Sequence, residues 1–141
     1  MIEVLPNAEL LSGMEYDAPT VSVDLNAIVD YAFDTSGADG MLVLEAQNPV
    51  LQSPYELISL LGALIYLLAP EEPKALKVYT FDALDHGCVE IRNSRPMTAL
   101  PEGFVEHANS IGVGLQLVRR GEACSVLLSI PSDGQLMKRA S

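Results

Sequence analysis

The chain has 141 residues, of which 49% are hydrophobic, and a formal net charge of −11. This length and apolar content predict one domain with a substantial core. A nucleic-acid partner is not expected, because such a surface needs clustered basic side chains and only 8 Lys and Arg stand against 19 Asp and Glu. The same charge disfavours tight binding of a nucleotide triphosphate unless backbone N–H groups and a metal offset it.

The sequence gives no sign of export or of membrane insertion. No basic-then-apolar leader opens the chain, and the most apolar run, 57–69, is shorter than the roughly 20 residues that a spanning helix needs. A cytoplasmic protein without membrane contact is therefore predicted. Cys88 and Cys124 lie in separate apolar runs, which indicates reduced, buried thiols and not a disulfide or a metal site.

The first part of the chain predicts an arm followed by a strand, a helix and a second strand. Residues 1–20 show weak periodicity and are expected to form an N-terminal arm, and 21–23 predict a short edge strand. Asp24 is a suitable N-cap for a helix whose apolar residues repeat at helical spacing as far as Gly37. Residues 41–46 then predict a strand.

The next helix has the clearest signals. Ser53 and Glu56 form a capping box, Pro54 takes the first helical position, and Pro70 prevents continuation. Apolar residues cover more than one face of this helix, so we expect it to be central or to contact a partner. The candidate interface residues are Leu64, Tyr66 and Leu67.

A hairpin and a loop follow. Residues 76–81 alternate as in a strand, 85–87 predict a turn, and 88–92 predict the returning strand. Residues 93–103 contain two prolines and predict a loop, and 104–109 predict a helical turn.

The end of the chain predicts a helix, a strand and a tail. Residues 114–120 are expected to form a helix that ends at Gly121, with two arginines at the negative end of its dipole. Residues 124–130 alternate and predict the last strand, and 132–141 predict a flexible tail.

The run Gly112-Val113-Gly114 with 115–120 resembles the second glycine box of the ATP-binding domain of sensor histidine kinases, in the gyrase, Hsp90, kinase and MutL (GHKL, Bergerat-fold) superfamily. In that family the loop runs into a helix whose amino terminus faces the nucleotide phosphates. The order of predicted elements is similar over nearly the whole chain. The resemblance implies an α/β (α+β) two-layer sandwich, with a mixed sheet of four to five strands covered on one face by three helices, in a single domain over 21–131.

The nucleotide-binding residues of that family are mostly replaced. Its asparagine box, which gives an amide oxygen to magnesium, corresponds to 60–68, where no Asn, Asp or Glu occurs. Its first glycine box corresponds to 92–97, where Asn93 remains as an acceptor but the glycines are missing. A degenerate nucleotide pocket would therefore keep Asn93, Gly112 and Gly114. The alternative, which we favour, is that Gly114 allows close packing and binds nothing.

Two functions follow from this pattern. The first is a non-catalytic interaction domain of a two-component system, without a cofactor, that binds a histidine kinase, a response regulator or itself. The second is a residual kinase or ATPase domain that binds ATP and magnesium and acts with a separate phosphoacceptor. No catalytic residue is predicted: His86 and His107 are expected at the surface, and Asp82 and Asp85 in a solvated turn.

Overall fold

Two sheets and three helices make up the part of the chain that the structure describes. The computed structural model describes residues 20–37, 40–68, 76–93, 99–120 and 123–133. Their elements, in chain order, are β1 (Val21–Val23), α1 (Leu25–Thr35), β2 (Gly40–Leu44), β3 (Val50–Gln52), α2 (Pro54–Leu68), β4 (Leu76–Ala83), β5 (His86–Asn93), α3 (Glu102–Ser110), β6 (Gly114–Arg120) and β7 (Ala123–Pro131). No helix among these residues is long and apolar enough to cross a membrane.

The main sheet is mixed and has the strand order β2-β4-β5-β7-β6. Strands β2 and β4 run parallel, and the other neighbours run antiparallel. Strands β1 and β3 form a separate antiparallel pair. An isolated β-bridge joins Val50 of β3 to Ser132, the residue that follows β7. The mixed five-stranded sheet with three helices confirms the predicted fold class.

The predicted start of α1 is confirmed. The Asp24 carboxylate accepts hydrogen bonds from the backbone N–H groups of Asn26 (3.0 Å) and Ala27 (3.3 Å), and so satisfies donors that have no partner within the helix. The helix buries Leu25, Val29, Ala32 and Phe33.

Helix α2 supplies most of the core and begins as predicted, with Ser53 at the N-cap. The Glu56 N–H donates to Ser53 Oγ at 3.5 Å. Its buried side chains are Leu57, Leu60, Leu61, Leu64, Ile65 and Leu68. Leu64 is 0% exposed, so the structure places this predicted interface residue in the core, where it cannot contact a partner of the folded domain.

The prediction of a helix over 114–120 is wrong. These residues form β6, which pairs antiparallel with β7 from Gly114 opposite Ser129 to Arg120 opposite Ala123. Leu115 and Leu117 pack against the core while Gln116 between them is exposed, and this period of two belongs to a strand. The helix of this region is instead α3, which precedes the glycines.

Both ends of the chain lie largely outside the described residues, as do Pro70, Arg95, Pro96 and Gly121. Of the predicted arm, only residue 20 is described. Of the predicted tail, Ser132 and Asp133 are described, and their N–H groups donate to the backbone oxygens of Asp85 (2.9 Å) and Pro49 (3.1 Å).

Candidate functional site

A groove of about 360 Å³ separates α2 from α3. It lies against Leu60 and Ala63 of α2, within the run 60–68 that was compared above with the asparagine box. Its walls are mainly apolar, and no carboxylate or side-chain amide occurs among the described residues that line it. Those residues are Ser59, Leu60, Ala63, Pro101, Gly103, Phe104 and His107.

Beside this groove, the solvent-facing side of α2 carries two tyrosines, Tyr55 and Tyr66, which are 79% and 85% exposed. They are eleven positions apart, which is about 16 Å of helix and a rotation only about 20° from complete turns. Between them lie Ser59, Gly62 and Ala63, whose side chains are small or absent. We call these five residues the α2 outer face. Leu67, the third predicted interface residue, is half-buried and lies beside it.

Gln52 fixes the two helices that form the groove. Its side-chain oxygen accepts from the Ser53 N–H at 2.9 Å, at the start of α2. Its side-chain nitrogen donates to the Ile111 carbonyl at 2.8 Å, at the end of α3. Gln52 is buried, so its bond to Ser53 is shielded from water, and its bond to Ile111 is partly shielded. Sequence reasoning missed Gln52, since its partner on α3 lies 59 positions away.

A second contact joins the same helices at the solvent side of the groove. His107 Nε2 of α3 lies 4.0 Å from Glu56 Oε2 of α2. Both side chains are partly exposed, so the pair contributes little to stability. His107 is thus near the surface, as predicted, but at the groove.

Gly112 ends α3 and does not precede a helix. Its φ is +78°, its N–H donates to the Asn109 carbonyl (3.1 Å), and the Val113 N–H donates to the Ala108 carbonyl (2.9 Å). This is the Schellman arrangement of a helix C-terminus, and the buried pair Ala108 and Val113 completes it. The N–H groups of Gly112 and Val113 are therefore engaged in the cap.

The other two predicted nucleotide residues, Asn93 and Gly114, lie beside opposite ends of strand β7. Asn93 is the last residue of β5 and pairs with Cys124, whereas Gly114 opens β6 and pairs with Ser129. Ser129 pairs in turn with Cys88, five residues before Asn93 and so about 17 Å away along the strand. The structure does not bring Asn93 and Gly114 together.

A polar cluster on β4 has a structural role. The Thr80 hydroxyl accepts from the N–H groups of Glu45 (2.9 Å) and Ala46 (3.2 Å). The Asp82 carboxylate accepts from those of Gln47 (2.9 Å) and Asn48 (3.2 Å). Asp82 was expected in a solvated turn; it is exposed, but it holds the loop after β2 in place.

The remaining titratable candidates show no catalytic arrangement. Asp85 Oδ1 lies 2.8 Å from His86 Nδ1, with both side chains substantially exposed. Cys88 and Cys124 are both buried, as predicted, and neither forms a disulfide. Burial raises the pKa of the Cys88 thiol, and a contact with the Ser129 hydroxyl opposes this in part, so the thiol stays protonated and unreactive at neutral pH.

Comparisons with known proteins relate the fold, and not the sequence, to histidine kinases. Neither a protein-family model nor a curated protein sequence matches the chain. Among solved structures, the histidine kinase AdeS of Acinetobacter baumannii matches with a TM-score of 0.65 and 16% identity, over 86% of this chain and 71% of that one. The ATP-binding domain of PrrB from Mycobacterium tuberculosis matches with a TM-score of 0.65 and 15% identity, over 83% of this chain and 99% of that one.

A third match is the histidine kinase ThkA in complex with the response regulator TrrA. Its TM-score is 0.62 at 14% identity, over 82% of this chain and 42% of that one. At such identities the likeness shows the fold alone. The chain has the α+β fold of histidine kinase ATP-binding domains, as the resemblance implied.

Proposed function

We propose that this domain is a non-catalytic interaction domain of a two-component system, and that the α2 outer face docks a response regulator. The observation that carries the proposal is the composition of that face. Two highly exposed tyrosines flank a floor of small residues beside an apolar groove. Tyrosine side chains are enriched among residues that dominate binding energy, because they bury a large rigid area and offer one hydroxyl.

The chemistry of the groove supports a protein ligand over a magnesium nucleotide. Magnesium takes hard oxygen ligands in octahedral geometry. Among the α2 residues that line the groove, the polar group is the Ser59 hydroxyl, and Ala63 lies one turn further along. The Glu56 carboxylate at the solvent side of the groove faces His107 Nε2 at 4.0 Å. A partner side chain that enters the groove would instead meet Leu60 and Phe104.

Charge bears on the choice of partner. A net charge of −11 makes two copies of this chain repel each other, whereas a partner with a basic patch is attracted. The solved complex of ThkA with TrrA is an instance in which a protein of this fold meets a response regulator. We therefore favour a response regulator over a second copy or a histidine kinase, and the cytoplasmic location predicted from the sequence is part of this proposal.

The test measures binding of purified response regulators from the source genome to the intact chain by biolayer interferometry. Tyr66→Ala is expected to raise Kd at least tenfold, and Ala63→Arg to do the same by filling the floor of the face. Tyr31→Ala is the matched control, because Tyr31 is also an exposed tyrosine but lies on α1. It is expected to change Kd less than twofold.

Two outcomes contradict the proposal. Equal losses for Tyr66→Ala and Tyr31→Ala would place the interface elsewhere. A Tyr66-dependent dimer in sedimentation, without binding to any regulator, would make the partner a second copy. Raising the salt concentration should weaken the regulator complex, because salt screens the part of the attraction that comes from charge.

Nucleotide binding is the second candidate, and one feature of the groove favours it. Helix α3 begins at Pro101 without a side-chain cap, and its first turn borders the groove, so the positive end of its dipole faces the place expected for phosphates. This candidate predicts that Mg-ATP stabilises the chain by mass action, about 2.7 kcal/mol at one hundred times Kd.

A further inference from the structure

The turn between β4 and β5 consists of two residues, Leu84 and Asp85, between the paired residues Ala83 and His86. Leu84 has a φ of +53° and is 93% exposed. It is the one non-glycine residue with positive φ among the residues that the structure describes.

Neither the backbone nor the packing explains a leucine at this position. Positive φ brings Cβ close to the backbone, so turn positions of this kind favour Gly, Asn or Asp. A leucine gains stability by burial, yet Leu84 is almost completely exposed. The side chain therefore destabilises the turn and gains no stability from burial. This is the pattern expected of a residue that serves an interaction.

The hairpin that carries Leu84 is firmly held at its base. The Asp82 carboxylate binds the loop after β2 through two N–H groups. In the turn itself, the Ser132 N–H donates to the Asp85 carbonyl at 2.9 Å. Gly87 packs so closely that an added Cβ would lie 2.5 Å from Val50 Cγ1. An anchor presented on a rigid element loses little conformational entropy on binding.

The surroundings of Leu84 are acidic. Asp82 and Asp85 flank it in sequence, and Asp133 follows Ser132, whose N–H bonds to Asp85. Residues 80–87 and 131–133 contain no Lys or Arg. An apolar side chain inside a negative rim complements an apolar pocket inside a positive one.

We propose that Leu84 is the anchor of a second docking surface, distinct from the α2 outer face, and that it inserts into an apolar pocket rimmed by Lys and Arg on a partner protein. The proposal does not depend on the response-regulator assignment.

The test begins with a photo-crosslinking p-benzoylphenylalanine in place of Leu84 in the full chain, produced in the source organism. The same substitution at Lys77, exposed at the far end of β4, is the control. The protein captured at position 84 and not at 77 is then purified, and its Kd for the unmodified chain, Leu84→Asn and Leu84→Met is measured at low and high salt.

Binding and stability should respond in opposite directions. Leu84→Asn suits positive φ, so it should raise Tm by about 2–4 °C while Kd rises at least tenfold. Leu84→Met keeps an apolar anchor, so its Kd should change less than threefold. High salt should weaken the complex, and the crosslinked peptide should come from an apolar pocket with basic neighbours.

Several results would overturn the proposal. A lower Tm for Leu84→Asn would assign the leucine to the fold. An unchanged Kd for that variant, or no protein captured at 84 beyond the control at 77, would remove the docking role. Leu84-dependent sedimentation with phosphatidylcholine and phosphatidylglycerol vesicles would make the ligand a lipid surface.

Discussion

The same substitution, Gly→Ala, should change stability in opposite directions at Gly62 and Gly112. An added Cβ meets no atom within 4 Å at either position, so steric overlap does not contribute. Gly62 lies inside α2, where alanine is favoured over glycine by about 0.8–1.0 kcal/mol. Gly112 has a φ of +78°, which costs an L-residue roughly 1–2 kcal/mol. Part of that cost is offset because alanine loses less backbone entropy on folding.

Gly62→Ala should therefore raise the free energy of unfolding by about 1 kcal/mol, and Gly112→Ala should lower it by about 1 kcal/mol. Urea denaturation followed by circular dichroism measures both, with shifts in midpoint at an unchanged m-value. A stability for Gly112→Ala equal to or above that of the unmodified chain would refute the assignment of Gly112 to the cap of α3. It would reopen a role for its N–H in binding an anion.

Five further substitutions at four positions test packing and capping, each by the same denaturation. Leu64→Ala should lower the free energy of unfolding by about 2–5 kcal/mol because Leu64 is fully buried. Tyr66→Ala should change it by less than about 0.5 kcal/mol. Equal losses would contradict the division of α2 into a core side and an outer face. Gly87→Ala should cost about 1–3 kcal/mol, since its Cβ would overlap Val50, and a neutral result would show that the hairpin base is loose. Asp24→Ala should cost about 1 kcal/mol and Asp24→Asn much less; a similar loss for both would rule out the capping bonds as the cause.

Local sequence signals were sufficient to predict helices α1 and α2. The cap at Asp24 and the pair of Ser53 with Pro54 act within one helical turn, so they can be recognised without knowledge of the fold. The element order also led to the correct two-layer architecture, which the fold comparison confirms. The three-residue strand β3 was missed because its residues have no periodicity long enough to detect.

The error over 114–120 came from giving the glycines more weight than the alternation that follows them. Gly112 serves the helix before it, and such a cap resembles the glycine of a loop that leads into a helix. The side chains of 115–117 alternate between core and solvent because β7 lies beside them, a constraint that only the sheet supplies.

The predicted interface residues differ in exposure. Tyr66 lies at the surface of α2, where its interface role stays a prediction, but the buried Leu64 was grouped with it because apolar residues surround this helix. Periodicity cannot tell which side a sheet will cover when several sides are apolar. Gln52 and the exposed Leu84 turn depend on contacts or backbone angles that arise only in the folded chain.

The most direct test of the account is a two-dimensional NMR titration of the ¹⁵N-labelled intact chain, first with millimolar Mg-ATP and then with the response regulator that binds it. The account predicts no saturable shift with Mg-ATP, and with the regulator a set of shifted amides centred on Ser59, Gly62, Ala63 and Tyr66. Saturable shifts along the α2–α3 groove with Mg-ATP, together with no response of the α2 outer face to any regulator, would contradict it.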